Sequence, residues 1–346
     1  MLKRENLILK IIQESPPIGI QEILQKVNLA LLKKVTKITI NRDLNKLIKN
    51  KLIIRTGNGS LVKYNLSKTS YLFKKINIKE YFLKNEDQRK IKKFNFKVFD
   101  LLQKVDIFNQ NELKNLLNLN NQYQNNISKL PPDIIKKEFE RLLIELSWKS
   151  SKIEGNTYDI LETEFLIKEH QESAGHTKLE AKMILNHKDT FELIKNKKIK
   201  TLSLKKIKEV HNMLIKDMNI STTLRNKAVG ITGTKYRPLK DQKLINKALN
   251  KLCLLVNSKN DIFSKSLLLN LLIAYIQPFN DGNKRTSRMM GNAILLANNY
   301  CPLSFRSIND LEYKKAMVLF YETNNISYFK ELFTEQFTFA TYNYFI

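Results

Sequence analysis

The first 66 residues alternate apolar and polar positions in a way that predicts three short helices and then two strands. Apolar residues recur at helical spacing at Leu7, Ile8, Ile11 and Ile12, and again at Ile20, Ile23, Leu24 and Val27. A third helix is predicted to begin near Thr39, with Thr39 as its N-cap, and to continue through Leu44, Leu47 and Ile48. The stretch LIIRTGNGSLVKYNL then predicts a strand, a Gly-Asn-Gly-Ser turn and a second strand.

The remainder of the chain is patterned mainly for helices. The stretch NQNELKNLLNLNNQYQNNISK is rich in Asn and Gln and predicts a polar linker or the edge of a helical connector. Pro131-Pro132 marks a boundary, and helical spacing dominates from Glu138 onward. We therefore predict a mostly α protein with a small α+β domain at 1–68, a connector at 69–129 and a helical domain at 130–346.

Composition places the chain among globular proteins, since 42% of its 346 residues are hydrophobic. Its 2 cysteines argue against a disulfide scaffold and fit a reducing compartment. The N-terminus has no secretory apolar region, and the longest apolar run, Ser266 to Ile276, is too short to span a bilayer. We expect a cytoplasmic protein of bacterial type without a membrane partner.

The formal net charge of +27 has two interpretations. It favours an acidic partner such as nucleic acid. Alternatively, the abundance of Lys, Asn and Ile throughout the chain reflects biased base composition. The local distribution of charge is more informative about a partner than the total. Residues 1–66 contain 13 Lys and Arg against 4 Asp and Glu, a net charge of 13 − 4 = +9.

The segment TKITINRDLNKLIKNKLIIRTGNGSLVKY resembles the recognition helix and wing of winged helix-turn-helix domains. The resemblance implies that DNA would be contacted by residues of the third helix, namely Lys37, Asn41, Arg42 and Lys46. The alternative is a winged helix used for protein contacts or for dimerisation, so a homodimer remains open.

The stretch LLIAYIQPFNDGNKRTSRMMGNAILL carries the most specific chemistry. An apolar run gives way to a polar loop and then to a basic helix. A glycine at Gly282 lets an anion approach a helix N-terminus whose N–H groups are free. Arg285 and Arg288 share a helix face, Asp281 offers a hard oxygen for Mg²⁺, and Phe279 would pin the loop from inside. These residue types favour a nucleoside triphosphate site; the alternative is a structural loop with surface arginines.

Three segments, in the same order, resemble the Fic family. QPFNDGNKRTSR resembles its signature HPFxxGNGRxxR, SSKIEGNTYDILETE its inhibitory helix with the pattern Ser/Thr-x-x-x-Glu-Gly, and LRNKAVGITGTKYRPL its target-docking flap. The tail INDLEYKKAMVLFYETNNISYFKELF also fits the last helices of that family. The resemblance covers roughly residues 135–335 and implies a Fic-type helical domain with a small β-hairpin flap.

The resemblance implies transfer of AMP from ATP to a Ser, Thr or Tyr hydroxyl of a target protein. Asp281 would hold Mg²⁺, while the nucleotide would be bound by Phe279, Gly282, Asn283, Lys284, Arg285 and Arg288. The catalytic residues would be Gln277, which stands at the position of the family's histidine, together with Asn283 and Arg285. The target would add a strand to the flap at Val229, Gly230, Ile231, Thr232 and Gly233.

An inhibitory helix is expected around 139–156, with Ser150, Glu154 and Gly155 as its motif. Ser150 and Glu154 are four residues apart and share a helix face. The Glu154 carboxylate could pair with Arg288 and take the place of a γ-phosphate oxygen. An ordinary surface glutamate is the alternative.

Two residues depart from the Fic signature. Gln277 replaces the histidine that would act as general base, and a carboxamide can orient a hydroxyl but cannot take its proton. Lys284 replaces a glycine. The remaining histidines, His170, His176, His187 and His211, lie outside the motif and are expected to be solvated or packed helical residues.

Three functions are compatible with this pattern. The first is an adenylyltransferase scaffold, inhibited by Glu154 and weak or inactive at Gln277. The second is a non-catalytic, nucleotide-responsive DNA-binding regulator. The third is a de-adenylylating hydrolase in which Glu154 activates water.

Overall fold

The computed structural model describes residues 3–89 and 93–346, and this part of the chain is mostly helical. In the first 130 residues the helices are α1 (Lys3–Glu14), α2 (Ile20–Ala30), α3 (Lys37–Lys49), α4 (Ile78–Leu83), α5 (Lys97–Gln103) and α6 (Gln110–Ile127). The later helices are α7 (Pro132–Ile153), α8 (Ile160–Glu169), α9 (Lys178–Lys197), α10 (Leu204–Leu214), α11 (Gln242–Ser258), α12 (Ile262–Ile276), α13 (Asn283–Ala297), α14 (Asp310–Thr323) and α15 (Ser327–Asn343). Short 3₁₀ turns lie at Gly59–Leu61, Ser70–Leu72 and Glu86–Gln88.

The N-terminal segment has its own apolar core beneath a small hairpin. Strands β1 (Ile53–Thr56) and β2 (Lys63–Leu66) pair antiparallel, with Ile53 opposite Leu66. Ile18 adds a bridge to Tyr64 on the other side of β2. The apolar faces of α1, α2 and α3 meet in a buried cluster that includes Ile12, Ile23 and Leu44. The predicted order of three helices and a hairpin is therefore present.

The third helix begins earlier than predicted. Thr36, in extended conformation, is the N-cap of α3, and its hydroxyl oxygen accepts a hydrogen bond from the Thr39 backbone N–H at 3.3 Å. The prediction that Thr39 is the cap was wrong because two threonines three residues apart offer the same capping chemistry, and the first one lies at the end of the extended segment.

The connector shares one core with the helical domain. Val98 and Phe99 of α5 and Tyr123 of α6 belong to the same buried cluster as the residues of α12 and α13. The Asn- and Gln-rich stretch forms α6, which packs against α15. Its polarity reflects a helix that is exposed on one side.

Helix α12 lies at the centre of the larger core, and its residues from Phe263 to Ile276 are buried apart from Lys265, which is partly exposed. It packs along α13, to which residues 277–282 connect it. Because α12 is apolar on every side, it must be enclosed by other helices, which gives the loop at its end a rigid base. Among the described residues, no helix has the length and apolar character needed to cross a membrane.

Candidate active site

The loop between α12 and α13 is held together by Asn283. Its side-chain Nδ2 donates to the Phe279 carbonyl oxygen at 2.8 Å, and its Oδ1 accepts from the Phe279 N–H at 2.8 Å. Both residues are buried. The Asn283 side chain therefore shapes the loop, and its backbone N–H is at the first position of α13, where helix N–H groups have no partner within the helix.

Phe279 and Gly282 both lie against His211 of α10. The rings of Phe279 and His211 stack with centroids 3.5 Å apart and 4° between their planes. Gly282 has φ +76°, and a Cβ there would lie 3.3 Å from His211 Cε1 and 3.2 Å from Ile215 Cγ2. A glycine is therefore required both by the backbone conformation and by the space available. Burial, with help from the charge of Arg285, lowers the pKa of His211 to about 3, so its imidazole is neutral.

Gln277 ends α12 in a left-handed conformation, with φ +50°. Its side-chain Nε2 donates to the Ala274 carbonyl oxygen at 2.7 Å, and the side chain is mostly buried. The Gln277 backbone carbonyl accepts from Nε of Arg225. The carboxamide is therefore turned back onto its own helix and carries no group able to accept a proton from a substrate hydroxyl.

Arg285 is buried beneath the loop and reaches towards Asp281. Its Nη2 lies 3.1 Å from Asp281 Oδ2, and its Nη1 lies 3.8 Å from the Met218 sulfur. The Asp281 side chain is 65% exposed. Mg²⁺ is usually bound by one or two carboxylates together with substrate phosphates and water. A single exposed carboxylate beside a helix N-terminus fits that donor set.

Arg288 is fully buried in α13 and is held mainly by Ser150 of α7. Its Nε donates to Ser150 Oγ at 2.9 Å, and its Nη2 donates to the Ser150 carbonyl oxygen at 2.9 Å. The guanidinium also lies over the Tyr313 ring, 5.5 Å from the centroid. These contacts connect α7, which is the predicted inhibitory helix, with α13, which carries both arginines.

Glu154 reaches the same arginine from the end of α7. Its Oε1 lies 2.9 Å from Arg288 Nη2, and its Oε2 lies 3.1 Å from Lys284 Nζ. Burial alone would raise the pKa of Glu154, but the charges of Arg288 and Lys284 outweigh it and lower the pKa to about 2. Gly155, with φ +102°, then turns the chain away from the site. The carboxylate is therefore ionised and held between two cations at neutral pH.

The flap residues 229–233 do not form the predicted β-hairpin, and Thr232 and Gly233 lie in a turn. Among the described residues, the only strands are β1 and β2, and residues 224–240 contain none. Gly230 and Thr232 are exposed, and Val229 and Ile231 are half-buried. The hairpin prediction was wrong because an extended segment counts as a strand only when a partner strand bonds to it.

The basic residues of α3 lie in two different environments. Lys37, Asn41 and Arg42 are exposed near its N-terminal half. Lys46 lies 2.6 Å from the buried Glu5 carboxylate, so its charge is already paired. Among the described residues, no ion pair involves Lys37 or Arg42, and the uncharged Asn41 side chain is exposed beside them.

Sequence reasoning missed the histidines and one arginine at this site. His187 of α9 and His211 are fully buried against Ser150 and Phe279 respectively, although neither lies in a motif. Arg225 is buried and connects the start of the flap to the end of α12 through the Gln277 carbonyl. The spacing of His187, three residues after Ile184 and four before Phe191, places it on the apolar face of a helix. That spacing could have predicted its burial.

Part of the chain is similar in sequence to known proteins. The sequence model of the Fic/DOC family matches residues 201–295. A probable protein adenylyltransferase of Aquifex aeolicus (strain VF5) is 31% identical over 99 residues, which is 28% of this chain and 31% of that protein. The chain therefore spans about a third of the length of this curated relative.

Solved structures share the fold at low sequence identity. Fic-1 of C. elegans aligns with a TM-score of 0.59 at 15% identity, covering 99% of this chain and 92% of the other. A Fic domain containing signaling protein from Bacteroides thetaiotaomicron VPI-5482 aligns with a TM-score of 0.56 at 19% identity, covering 66% and 94%. Residues 201–295 therefore resemble the Fic/DOC family in sequence, and the chain shares the fold of these solved Fic structures.

Proposed function

We propose that this protein binds ATP at the N-terminus of α13 and is a protein adenylyltransferase scaffold that Glu154 holds in an inhibited state. The observation that carries the proposal is the 2.9 Å contact between Glu154 Oε1 and Arg288 Nη2. The Arg288 N–H that donates to Glu154 is not available to a terminal phosphate, and the carboxylate places a negative charge where that phosphate would bind. The likeness to the probable protein adenylyltransferase of A. aeolicus supports the reaction class.

The chain's own residues would bind and orient the nucleotide. Free N–H groups at the start of α13 would receive phosphate oxygens. Arg285 and Arg288 would stabilise charge on the β and γ phosphates, and Lys284 would join them once Glu154 leaves. Asp281 would hold Mg²⁺, whose charge neutralises phosphate oxygens.

Transfer requires a group that accepts a proton. A target hydroxyl oxygen would bond to the α-phosphorus while the bond from that phosphorus to the β-bridging oxygen breaks and pyrophosphate leaves. The hydroxyl proton must go to a base, and Gln277 provides none. We therefore propose that binding is retained and that transfer is weak or absent.

A transfer assay on two variants tests this proposal. Glu154→Gly removes the inhibitory carboxylate, and Glu154→Gly/Gln277→His also supplies an imidazole. Self-modification is measured as a mass increase of one AMP unit after incubation with ATP and Mg²⁺. We expect modification of the double variant and far less of the single variant. Absence of ATP binding in both would overturn the proposal.

A second candidate function is DNA binding by the N-terminal segment. The exposed and unpaired Lys37 and Arg42 on α3 favour it, together with the +9 balance of residues 1–66. If both side chains contact DNA phosphates, Lys37→Ala and Arg42→Ala, each made alone in the full chain, should weaken the salt dependence of duplex binding. The slope of log K against log salt concentration should fall by roughly one in each variant. The matched control is Lys168→Ala on α8, whose ammonium pairs with Glu164. Equal salt slopes in all four proteins would contradict this function.

A further inference from the structure

A buried histidine lies behind the contact between Ser150 and Arg288. His187 Nε2 lies 2.8 Å from Ser150 Oγ, and the same oxygen lies 2.9 Å from Arg288 Nε. All three residues have no exposed surface. Nothing in the proposed chemistry uses this imidazole, so its position behind the contact between Ser150 and Arg288 needs a separate account.

The direction of each hydrogen bond follows from the other end of the histidine ring. His187 Nδ1 lies 2.7 Å from the Met183 carbonyl oxygen, which can only accept, so Nδ1 carries a proton. Burial, followed by the charge of Arg285, lowers the pKa of His187 to about 3, so the ring is neutral and Nε2 is an acceptor. The Ser150 hydroxyl must then donate to Nε2. Its oxygen lone pairs are left for the N–H of Arg288 Nε.

We propose that His187 is a positioning residue that, through the Ser150 hydroxyl, fixes the Arg288 guanidinium for the terminal phosphates of ATP. The inference rests on the proposed nucleotide binding. Arg288 has five N–H donors. One on Nε and one on Nη2 are bonded to Ser150, and the second on Nη2 is bonded to Glu154.

Removal of Glu154 would therefore free a donor without freeing the side chain. The two bonds to Ser150 remain, so the guanidinium plane is held before a nucleotide arrives. A side chain held in its bound rotamer loses little entropy on binding. With an apolar residue at position 187, the Ser150 hydroxyl would be free to rotate, and its lone pairs would no longer be directed at Nε.

The test measures ATP and AMP affinity in the full chain carrying Glu154→Gly. Adding His187→Leu should weaken ATP binding about tenfold, which is the cost of one hydrogen bond to a charged group. AMP binding should be unchanged, because Arg288 would contact only the terminal phosphates, which AMP lacks. His187→Gln, which retains an amide donor and an acceptor, should restore part of the loss. Thr190→Val, a buried change one turn further along α9, should affect neither ligand.

A second variant separates positioning from a general loss of structure. Ser150→Ala should weaken ATP binding to a similar extent, and adding His187→Leu to it should cause little further loss because the histidine acts through the serine. Additive losses, or equal losses for ATP and AMP, would overturn the proposal. If the Glu154→Gly parent itself binds no ATP, the proposed function fails. If the parent binds ATP and His187→Leu binds it equally well, only the positioning role fails.

Discussion

Glu154 and Arg288, which are 134 residues apart in the chain, meet through a 2.9 Å contact between Oε1 and Nη2. The Arg288 side chain is fully buried and the Glu154 side chain is 18% exposed. A buried ion pair is costly to break from one side only, because the remaining charge loses its partner. Whatever displaces Glu154 must therefore bring a negative charge of its own, as a phosphate does.

A histidine at position 277 should restore transfer in the uninhibited protein. Histidine tolerates the left-handed backbone conformation of this residue better than most side chains do. In the Glu154→Gly background, Gln277→His should raise the rate of AMP transfer by roughly 10²–10⁴-fold, the usual contribution of a general base. The rate should rise with pH through about 6.5, where an unperturbed imidazole loses its proton. Gln277→Asn is the control, and a similar gain with asparagine would contradict the role of a base.

Inhibition by Glu154 should not respond to pH in the physiological range. The pKa of Glu154 is lowered from 4.5 to about 2 in the folded protein. Since the folded value is the lower one, the contribution of the ion pair to stability is complete above about pH 5 and is lost as pH falls towards 2. ATP affinity of the unmodified protein should be constant between pH 6 and 8 in calorimetry. A marked gain in affinity near pH 6 would contradict a carboxylate held between two cations.

The lysine at position 284 should strengthen inhibition only modestly. Its Nζ is 3.1 Å from Glu154 Oε2, but the Lys284 side chain is 29% exposed, so water screens the pair. Lys284→Gly should tighten ATP binding to the otherwise unmodified protein by up to about fivefold, corresponding to at most ~1 kcal/mol. In the Glu154→Gly background the same change should not tighten binding. A gain as large as that of Glu154→Gly would show that Lys284, and not Arg288, is the main partner.

The contact between α12 and α13 should be sensitive to a single methyl group. A Cβ at Gly291 would lie 2.1 Å from Asn270 Nδ2. Gly291→Ala should therefore destabilise the protein by about 1–3 kcal/mol, the usual cost of overpacking a core. Thermal unfolding measures this loss, and Asn270→Ala should recover part of it by making room. Equal melting temperatures for Gly291→Ala and the unmodified protein would contradict this packing.

Much of the larger fold could be predicted from periodicity, since α12 and α13 have strong patterns and a clear loop between them. The contact between Glu154 and Arg288 was also foreseeable, because both belong to recognisable motifs. Their roles, like those of the other site residues, remain predictions.

Other features depend on neighbours that a linear pattern does not reveal. The flap has the composition of a hairpin but no partner strand. Thr36 and Thr39 could both cap α3, and only the path of the chain selects Thr36. His187 resembles any helical histidine until α7 and α9 pack together and bring Ser150 to its Nε2.

The most direct test of the central claim is calorimetric titration of ATP, with Mg²⁺, into the unmodified protein and Glu154→Gly. Glycine is well tolerated at the end of a helix, where Glu154 lies. Loss of the charge-assisted bond to Arg288 should tighten ATP binding by roughly 10–100-fold, and adding Arg288→Ala should abolish that gain. No measurable heat with Glu154→Gly, or the same affinity in both proteins, would contradict the claim that Glu154 occupies a phosphate site.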